Sequence, residues 1–361
     1  MLRVYFNGKF YGAGLNGVHR VADSLIQAVD RRLSATPVAA RPFEAIVIAP
    51  EHGDWTPALD AIAVQTTKRA DALWEQVALP RLTGDGVLVN LCNLAPIAHR
   101  RKLTMIHDVQ FYFSSASYPL KRKLYYQTMI PLVAKTSRRV LTVSEYSREM
   151  LALMNVVERN RCVVMPNGVD HVIERDAALS ADAAFGLQPN AYCVMFASYK
   201  EYKNNRVVFD AFREPALRDV ALLLVGDGRE TLVAAGLEPP PNAVFAGKID
   251  DAELKGVLQN AIALTFPSRT EGFGLPPLEA MAAGAPAIVS PCGAVPEVCR
   301  DAAVYADVDD AASWADAIVR LRDDADFRAE KTRKGAARCK DFTWARAGGI
   351  LWDEILAAGG D

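Results

Sequence analysis

The sequence predicts an α/β protein made of two doubly wound parallel sheets, and three observations carry that expectation. Short β-rich runs alternate with amphipathic stretches along all 361 residues, the pattern of βαβ units in a parallel sheet. The alternation breaks at Asn167-Gly168, crosses an Ala/Asp-rich stretch at 174–190 with little β signal, and restarts at Tyr192. The length suits two domains at roughly 150 residues each.

In chain order, the first half offers strands at 2–6, 45–49, 87–91, 103–107, 140–143 and 162–165, each a run of β-branched and apolar residues. Helical periodicity fills the intervals at 17–32, 119–135 and 145–154. The second half gives strands at 192–197, 220–225, 243–246, 262–266 and 287–290, with helices at 204–212, 251–258 and 277–283. Three helices close the chain, at about 310–322, 325–340 and 343–357. Ligands of such sheets bind outside the carboxyl ends of the strands, so two of these domains facing each other would make a cleft.

Composition is ordinary for a globular protein: 51% apolar and 23% charged, which excludes disordered, fibrous and coiled-coil classes. The net charge of −2 excludes a polycation built for nucleic acid. That sum hides a split. Residues 1–170 hold 21 Lys and Arg against 14 Asp and Glu, a balance of +7, and the remainder holds 20 against 29, or −9. The apolar run at 1–8 is too short for a signal peptide, and no run approaches a membrane span. Cys92, Cys162, Cys193, Cys292, Cys299 and Cys339 form no CxxC pair or zinc spacing, and reduced structural thiols in the cytoplasm are expected.

Gly12-Ala-Gly14-Leu-Asn-Gly17 matches GxGxxG and opens a helix soon after the first strand, so an NAD-dependent oxidoreductase is a rival reading. Two features weigh against it. Residues 7–11 separate strand from glycines, and the acidic residue due about twenty positions on does not end a clear second strand. The physics survives in either case, because glycines before a helix let a phosphate approach backbone N–H groups. A plain surface loop is the other alternative.

The most informative segment is Phe266-Pro-Ser-Arg-Thr-Glu271-Gly-Phe-Gly-Leu-Pro-Pro-Leu-Glu279-Ala-Met-Ala-Ala-Gly284. A strand ends at Phe266, Pro276-Pro277 suit a first helical turn, and Gly284 with Pro286 stop the helix. The loop places the N–H groups of Phe273, Gly274 and Leu275 at a helix N-terminus, where an anion is stabilised. Glu271 and Glu279 flank that point. Two carboxylates there would repel a phosphate, but they suit hydroxyls on either side of it. The plain alternative is a capped core helix with two solvated acids.

Glu271 to Glu279 resembles the E-x7-E motif of retaining, nucleotide-sugar-dependent glycosyltransferases of the GT-B fold, in particular glycosyltransferase family 4. Further landmarks follow in order: Ile106-His107-Asp108, Leu141-Thr-Val-Ser-Glu145, Pro166-Asn-Gly-Val169, Val225-Gly-Asp-Gly228, Phe245-Ala-Gly-Lys248, Pro286-Ala-Ile-Val-Ser290, Val295-Pro-Glu-Val298 and Phe342-Thr-Trp344. The resemblance covers nearly the whole chain. It implies two Rossmann-like domains facing a central cleft, an acceptor-side domain at 1–171 and a nucleotide-sugar domain at 172–342, with a helix at about 343–361 packing back on the first.

The resemblance also implies roles. Glu279 would hold the donor ribose, Glu271 a hydroxyl of the donor sugar, and backbone groups at Gly272, Phe273, Gly274 and Leu275 the sugar and diphosphate. Lys203 matches the lysine that neutralises the diphosphate, opposing charge on the leaving group. The family's second cation stands five residues earlier, where this sequence has Ser198; Lys200 and Arg269 are candidate replacements. Gly226, Lys248 and Ile249 fall on the donor side. His107, at a strand end, would face donor sugar and acceptor, and Gly14, Asn16 and Gly17 would approach the phosphates, with Arg20 one turn in. No protein nucleophile, cofactor or metal is expected.

The implied activity is hexose transfer with retained configuration to a glycan or lipid-linked saccharide in polysaccharide assembly. The Gly17-Val-x-Arg20 opening and the His-Asp pair resemble bacterial mannosyl- or rhamnosyltransferases of polysaccharide assembly, which makes GDP-mannose the first expected donor and a UDP-sugar the second. A nucleotide-sugar epimerase shares the fold and remains an alternative, since fold does not choose function. The basic residues Arg100, Arg101, Lys102, Lys121, Arg122 and Lys123, with Arg138-Arg139, are either solvated faces or a patch for an anionic acceptor or membrane. The second choice would place the protein peripherally on the inner face of the cytoplasmic membrane.

Overall fold

A computed structural model of the chain describes residues 1–14, 16–51, 57–68, 71, 73–113, 119–178 and 184–360. Two compact units emerge: Met1–Tyr112, Leu120–Gly168 and Trp344–Asp361 make the first, and Val169–Thr343 with Phe113–Pro119 the second.

The first unit holds a parallel sheet of β1 (Leu2–Asn7), β2 (Phe43–Pro50), β3 (Ala63–Thr67), β4 (Val87–Asn90), β5 (Lys102–Met105), β6 (Arg139–Thr142) and β7 (Cys162–Val164). Its spatial order is β3-β2-β1-β4-β5-β6-β7, with Val4 opposite both Ala45 and Val87. The inner strands are apolar on both faces, and Val87, Leu88 and Val89 have no exposed surface, as expected of a sheet covered by helices on either side. The order reverses between β1 and β4, which makes their carboxyl ends the switch point of this sheet.

The second unit repeats the plan with β8 (Tyr192–Ala197), β9 (Ala221–Gly226), β10 (Ala243–Gly247), β11 (Leu264–Phe266), β12 (Ala287–Val289) and β13 (Val304–Tyr305), in the order β10-β9-β8-β11-β12-β13. Its switch point lies between β8 and β11. Beneath it Val208, Phe209, Leu222, Leu224, Trp314 and Ile318 form a closed core.

The principal helices are α1 (Gly17–Ser34), α2 (Leu120–Thr136), α3 (Glu145–Leu153), α4 (Asn205–Ala211), α5 (Asp251–Gln259), α6 (Leu275–Ala282), α7 (Ala311–Asp323), α8 (Ala325–Cys339) and α9 (Trp344–Gly359). Their starts carry the chemistry that stops fraying: Asn16 accepts from the His19 N–H, Ser144 from the Ser147 N–H, and Asp250 forms a capping box with Glu253. In the first unit α9 lies against α1, where Trp352 meets the Phe43 ring at 4.6 Å and the Arg32 guanidinium covers it at 4.4 Å.

Two expectations from the sequence need correction here. β3 and β13, the strands at two sheet edges, were not among the expected strands: Ala63-Val-Gln-Thr-Thr67 is mostly exposed and carries no apolar alternation, and Val304-Tyr305 is only two residues long. Lys102, expected in a basic surface patch, has no exposed surface. Its Nζ donates to the carbonyls of His99 at 2.7 Å, Thr136 at 3.1 Å and Ile97 at 3.3 Å, and to the Thr136 Oγ1 at 2.8 Å. Burial draws its ammonium down to about 8, so it remains charged at neutral pH and ties β5 to the end of α2. Arg101 likewise turns inward, donating to the carbonyls of Asp85 and Gly359, the latter at 3.0 Å. Arg138 donates to the Ala358 carbonyl at 3.2 Å, so two of the expected patch cations serve the carboxyl end of α9. Replacing Lys102 with Met should leave those carbonyls without a donor and cost on the order of 2 kcal/mol in unfolding free energy, and an unchanged urea midpoint would show that the ammonium is not a structural tie.

Candidate functional site

In the second unit the strand ends at the switch point bring the expected residues together. Lys203 follows β8 in the 3-10 turn Glu201–Lys203, and Glu271 follows β11. The Lys203 Nζ donates to the Glu271 Oε1 at 2.7 Å, with both side chains largely shielded from solvent. The ammonium also lies 5.4 Å from the centre of the Phe266 ring and 5.3 Å from that of Tyr202. A lysine so placed has one donor committed and two in hand.

The loop bearing Glu271 is fixed at several points. The Arg269 N–H donates to the Tyr202 carbonyl at 2.8 Å, the Ser290 hydroxyl to the Ser268 carbonyl at 2.5 Å, and the Ala294 N–H to the Glu271 carbonyl at 3.0 Å. Gly293 makes the last contact possible. Its φ is +61°, and a Cβ there would lie 2.6 Å from the Glu271 backbone nitrogen, so any other residue would push the loop away. Sequence reasoning passed over this glycine; its place in Ser290-Pro-Cys-Gly-Ala294, a turn after a strand, was the available signal.

α6 starts at Leu275, two residues earlier than expected, with Gly274 as its cap at φ +91°. Pro276 and Pro277 therefore lie inside the first turn and contribute no N–H. The backbone N–H groups at the helix start are then those of Phe273, Gly274 and Leu275, with none from the two prolines behind them. Phe273 is buried and packs edge-on against Phe342, with ring centres 5.6 Å apart. Glu279, on α6, is buried, and its Oε1 lies 3.4 Å from the His171 Nε2. His171 is a second residue that sequence reasoning missed. It belongs to the short helix Asp170–Glu174 that follows Pro166-Asn-Gly-Val169, and that motif could have led to it.

The other donor-side candidates spread over the same sheet edge. Ser198 follows β8 and accepts from the Lys200 N–H at 3.3 Å. Gly226 ends β9, while Lys248 and Ile249 follow β10, Lys248 being exposed. Arg269, a candidate second cation, is held by Asp309 at 2.5 Å and by the Asn204 side chain at 3.2 Å. Lys200 lies 6.0 Å from the centre of the Tyr202 ring.

In the first unit the Gly12–Gly17 run does not turn directly from strand to helix: a 3-10 helix, Lys9–Gly12, stands between β1 and Gly14. Asn16 caps α1, Gly17 is its first residue, and the Gly14 carbonyl lies 3.1 Å from the His19 Nδ1. His107 follows β5 and is buried. Its Nε2 lies 2.8 Å from the Leu91 carbonyl, its N–H donates to the Asn93 side chain at 2.9 Å, and its carbonyl accepts from the Ser147 hydroxyl at 3.0 Å. A carbonyl can only accept, so the proton sits on Nε2 and Nδ1 carries the lone pair. Burial draws the imidazole down to about 4, which keeps it neutral in the physiological range. Arg100 is exposed, as are Lys121 and Arg122 on α2, and Lys123 is half-buried. Among the described residues no cluster of His, Cys, Asp and Glu is arranged to hold a metal ion.

Residues 190–324, most of the second unit, match the family model described as "Glycosyl transferases group 1". The chain is 27% identical over 261 residues to O-antigen chain mannosyltransferase B of Escherichia coli, covering 69% of this chain and 68% of that protein. It is 27% identical over 235 residues to O-antigen chain mannosyltransferase RfbU of Salmonella typhimurium, covering 63% and 62%. Among solved structures it superimposes on sucrose-phosphate synthase from Thermosynechococcus elongatus with a TM-score of 0.74, at 18% identity, covering 99% of this chain and 100% of the other.

The buried imidazoles carry a pH signature. His99, like His107, is drawn down to about 4, first by burial and then by Lys102. Between pH 6.5 and 4 the unfolded chain takes up protons that the folded one refuses. Their stability contribution is therefore complete above about pH 6.5 and lost as pH falls toward 4, on the order of 3 kcal/mol for each ring. His107→Gln should flatten this pH dependence of the urea midpoint by about half; an equal slope in both proteins would contradict a neutral buried ring.

Proposed function

We propose, for a chain that belongs to the GT-B glycosyltransferases of the family 4 type, that it moves a hexose with retained configuration from a nucleoside-diphosphate sugar to a saccharide or lipid-linked saccharide. The observation that carries this reading is the pairing of Lys203 with Glu271 at the switch point of the second sheet, beside the Phe273–Leu275 loop. This places an ammonium, three backbone donors and a carboxylate along one sheet edge. A diphosphate needs the first two and a sugar hydroxyl the third.

In this reading the diphosphate takes the free donors of Lys203 and the N–H groups of the loop. Glu271 accepts a hydroxyl of the donor sugar and the buried Glu279 accepts from the ribose. As the bond from the anomeric carbon to the phosphate oxygen breaks, Lys203 opposes the charge that gathers on the leaving group. The acceptor oxygen bonds to the same face of that carbon, and its proton passes to the departing phosphate oxygen. His107 contributes a neutral Nδ1 lone pair, suited to orienting a hydroxyl rather than to binding phosphate.

GDP-mannose is the proposed donor, supported by the likeness to two O-antigen chain mannosyltransferases, with a UDP-sugar as the alternative. Attachment to an anionic membrane rests on a different observation. α2 exposes Leu120, Leu124 and Leu132 at helical spacing, with Lys121 and Arg122 exposed beside them. An apolar stripe edged by cations suits an anionic lipid interface. No helix among the described residues is long and apolar enough to cross a membrane.

Three measurements test these readings. Glu271→Ala and Lys203→Ala should each lower transfer by about a hundredfold or more, the scale of removing one such electrostatic contact, and GDP should raise the melting temperature of the native protein more than UDP or NAD. A fully active, folded Glu271→Ala protein would sink the site, and a shift with NAD alone would favour an oxidoreductase. Separately, Lys121→Glu/Arg122→Glu should abolish sedimentation with anionic liposomes at low salt, whereas binding indifferent to salt and lipid charge would remove the membrane face.

A further inference from the structure

The first unit has a cleft at the amino ends of its strands, on the sheet edge away from His107. It measures about 430 Å³ and is lined by Arg138, Arg139, Arg161, Glu354, Ala357 and Ala358, a volume within the range of small-molecule sites. The topology explains why three arginines meet there. Arg139 opens β6, Arg138 precedes it, and Arg161 stands immediately before β7. β6 and β7 are parallel neighbours with Val140 opposite Cys162, so their first residues share one end. The last turns of α9 supply Glu354 on the other side, and Ala357 and Ala358 are too small to fill the space. None of these residues takes part in the proposed transfer.

The guanidinium groups are held from behind. The Arg161 Nη2 donates to the Ser137 carbonyl at 2.5 Å and reaches those of Ala134 and Lys135 at 3.4 Å. The Arg139 Nη1 donates to the Asn160 carbonyl at 3.2 Å. Among the described residues no other nitrogen of these two side chains has a hydrogen-bond partner. A guanidinium has five donors, so one anchored through a single nitrogen remains a fork for an oxyanion. A freely solvated arginine would lose side-chain freedom on binding, whereas these two have already lost it. The negative end of the α9 dipole would oppose an anion here, but Arg138 and Arg101 donate to its last carbonyls, those of Ala358 and Gly359.

Glu354 narrows the choice of ligand. Its Oε2 is shut off from solvent without a hydrogen-bond partner, and the Arg139 Nε stands 3.9 Å away, beyond hydrogen-bond reach. The side chain as a whole is 21% exposed, which leaves the carboxyl group within reach of a ligand in the cleft. Three guanidinium groups against one carboxylate keep the cleft positive. A bare phosphate would suit the arginines and meet the carboxylate as a like charge. An ester that carries a hydroxyl beside its phosphate suits both, because the hydroxyl donates where a donor is lacking.

We infer that this cleft binds the phosphate ester of a polyol, with the phosphate on Arg161 and Arg139 and a neighbouring hydroxyl on Glu354. The same chemistry occurs in a soluble sugar or glycerol phosphate and in the headgroup of a phospholipid. The cleft shares no residue with the donor site of the second unit, so its occupancy is independent of the transferase reading.

The test is a calorimetric titration of the native protein without nucleotide, using glycerol 3-phosphate, mannose 6-phosphate and inositol 1-phosphate, with inorganic phosphate and the parent polyols as partners. At least one ester should bind at least tenfold more tightly than inorganic phosphate and than its own polyol. Arg139→Gln should weaken that binding tenfold or more. Ala357→Phe, which fills the cleft from an exposed position without changing its charge, should do the same, and Glu354→Met should bring the ester to the level of inorganic phosphate. Circular dichroism and the thermal shift with GDP should stay as in the native protein. Vesicles of phosphatidylinositol in phosphatidylcholine, mixed with the Lys121→Glu/Arg122→Glu protein, separate the two sources. Binding of a soluble ester assigns a free metabolite; failure of every ester beside vesicle sedimentation that Ala357→Phe abolishes assigns the headgroup. Equal binding in the native, Arg139→Gln and Ala357→Phe proteins, esters no tighter than inorganic phosphate, or no binding to ester or vesicle would overturn the assignment.

Discussion

The Lys203–Glu271 pair decides how the second unit can work. It links the turn after β8 to the loop after β11 across the switch point, the one place where neighbouring strands send their connections to opposite faces of the sheet. A largely shielded pair loses solvation on both sides and recovers it only through good geometry, which the 2.7 Å contact provides. Breaking it alone would strand a charge. A ligand that offers an anion to the lysine and a hydroxyl to the glutamate relieves that penalty on both sides, and a nucleoside-diphosphate sugar carries both groups within one molecule.

The fold was largely legible because its signal is periodic. Runs such as Val4–Phe6 and Leu222–Val225 are buried on both faces and leave no competing reading. What escaped was whatever lacks a period: β3, an exposed edge, and the π-turn at Trp74, whose backbone depends on Gln76 reaching residues 95–97. The site divides in the same way. Glu271, Glu279 and the glycines between them share one short segment and announce themselves. His171 meets Glu279 from more than a hundred positions away, so that pairing leaves no local mark.

The basic character of the first half also needed the structure to be understood. A run such as Arg100-Arg-Lys102 looks like one patch, yet its members do three different jobs. Arg100 faces solvent, Arg101 serves the last carbonyls of α9, and Lys102 is sealed among acceptors. A cation held by carbonyls keeps its charge, but the donors they occupy are ones an anion cannot take. Arg100, Lys121 and Arg122 keep their charge at the surface, and on α2 Leu120, Leu124 and Leu132 are exposed in the same stretch of chain as the last two.

For the proposed diphosphate site, the two prolines of α6 set a finer constraint. A helix start normally offers several N–H groups in succession along with the positive end of its dipole. Here Pro276 and Pro277 remove donors just behind the loop, so an anion gains nothing by moving toward the helix axis. The remaining N–H groups belong to Phe273, Gly274 and Leu275, on a loop pinned through Glu271 by the Gly293 turn. Affinity and position therefore depend on the same contact: displacing the loop from Gly293 would move the donors and Glu271 together. If the proposed donor binds here, a loop held this way would favour a ligand whose anion and hydroxyl are a fixed distance apart, by geometry rather than by net charge, which in this half of the chain is negative.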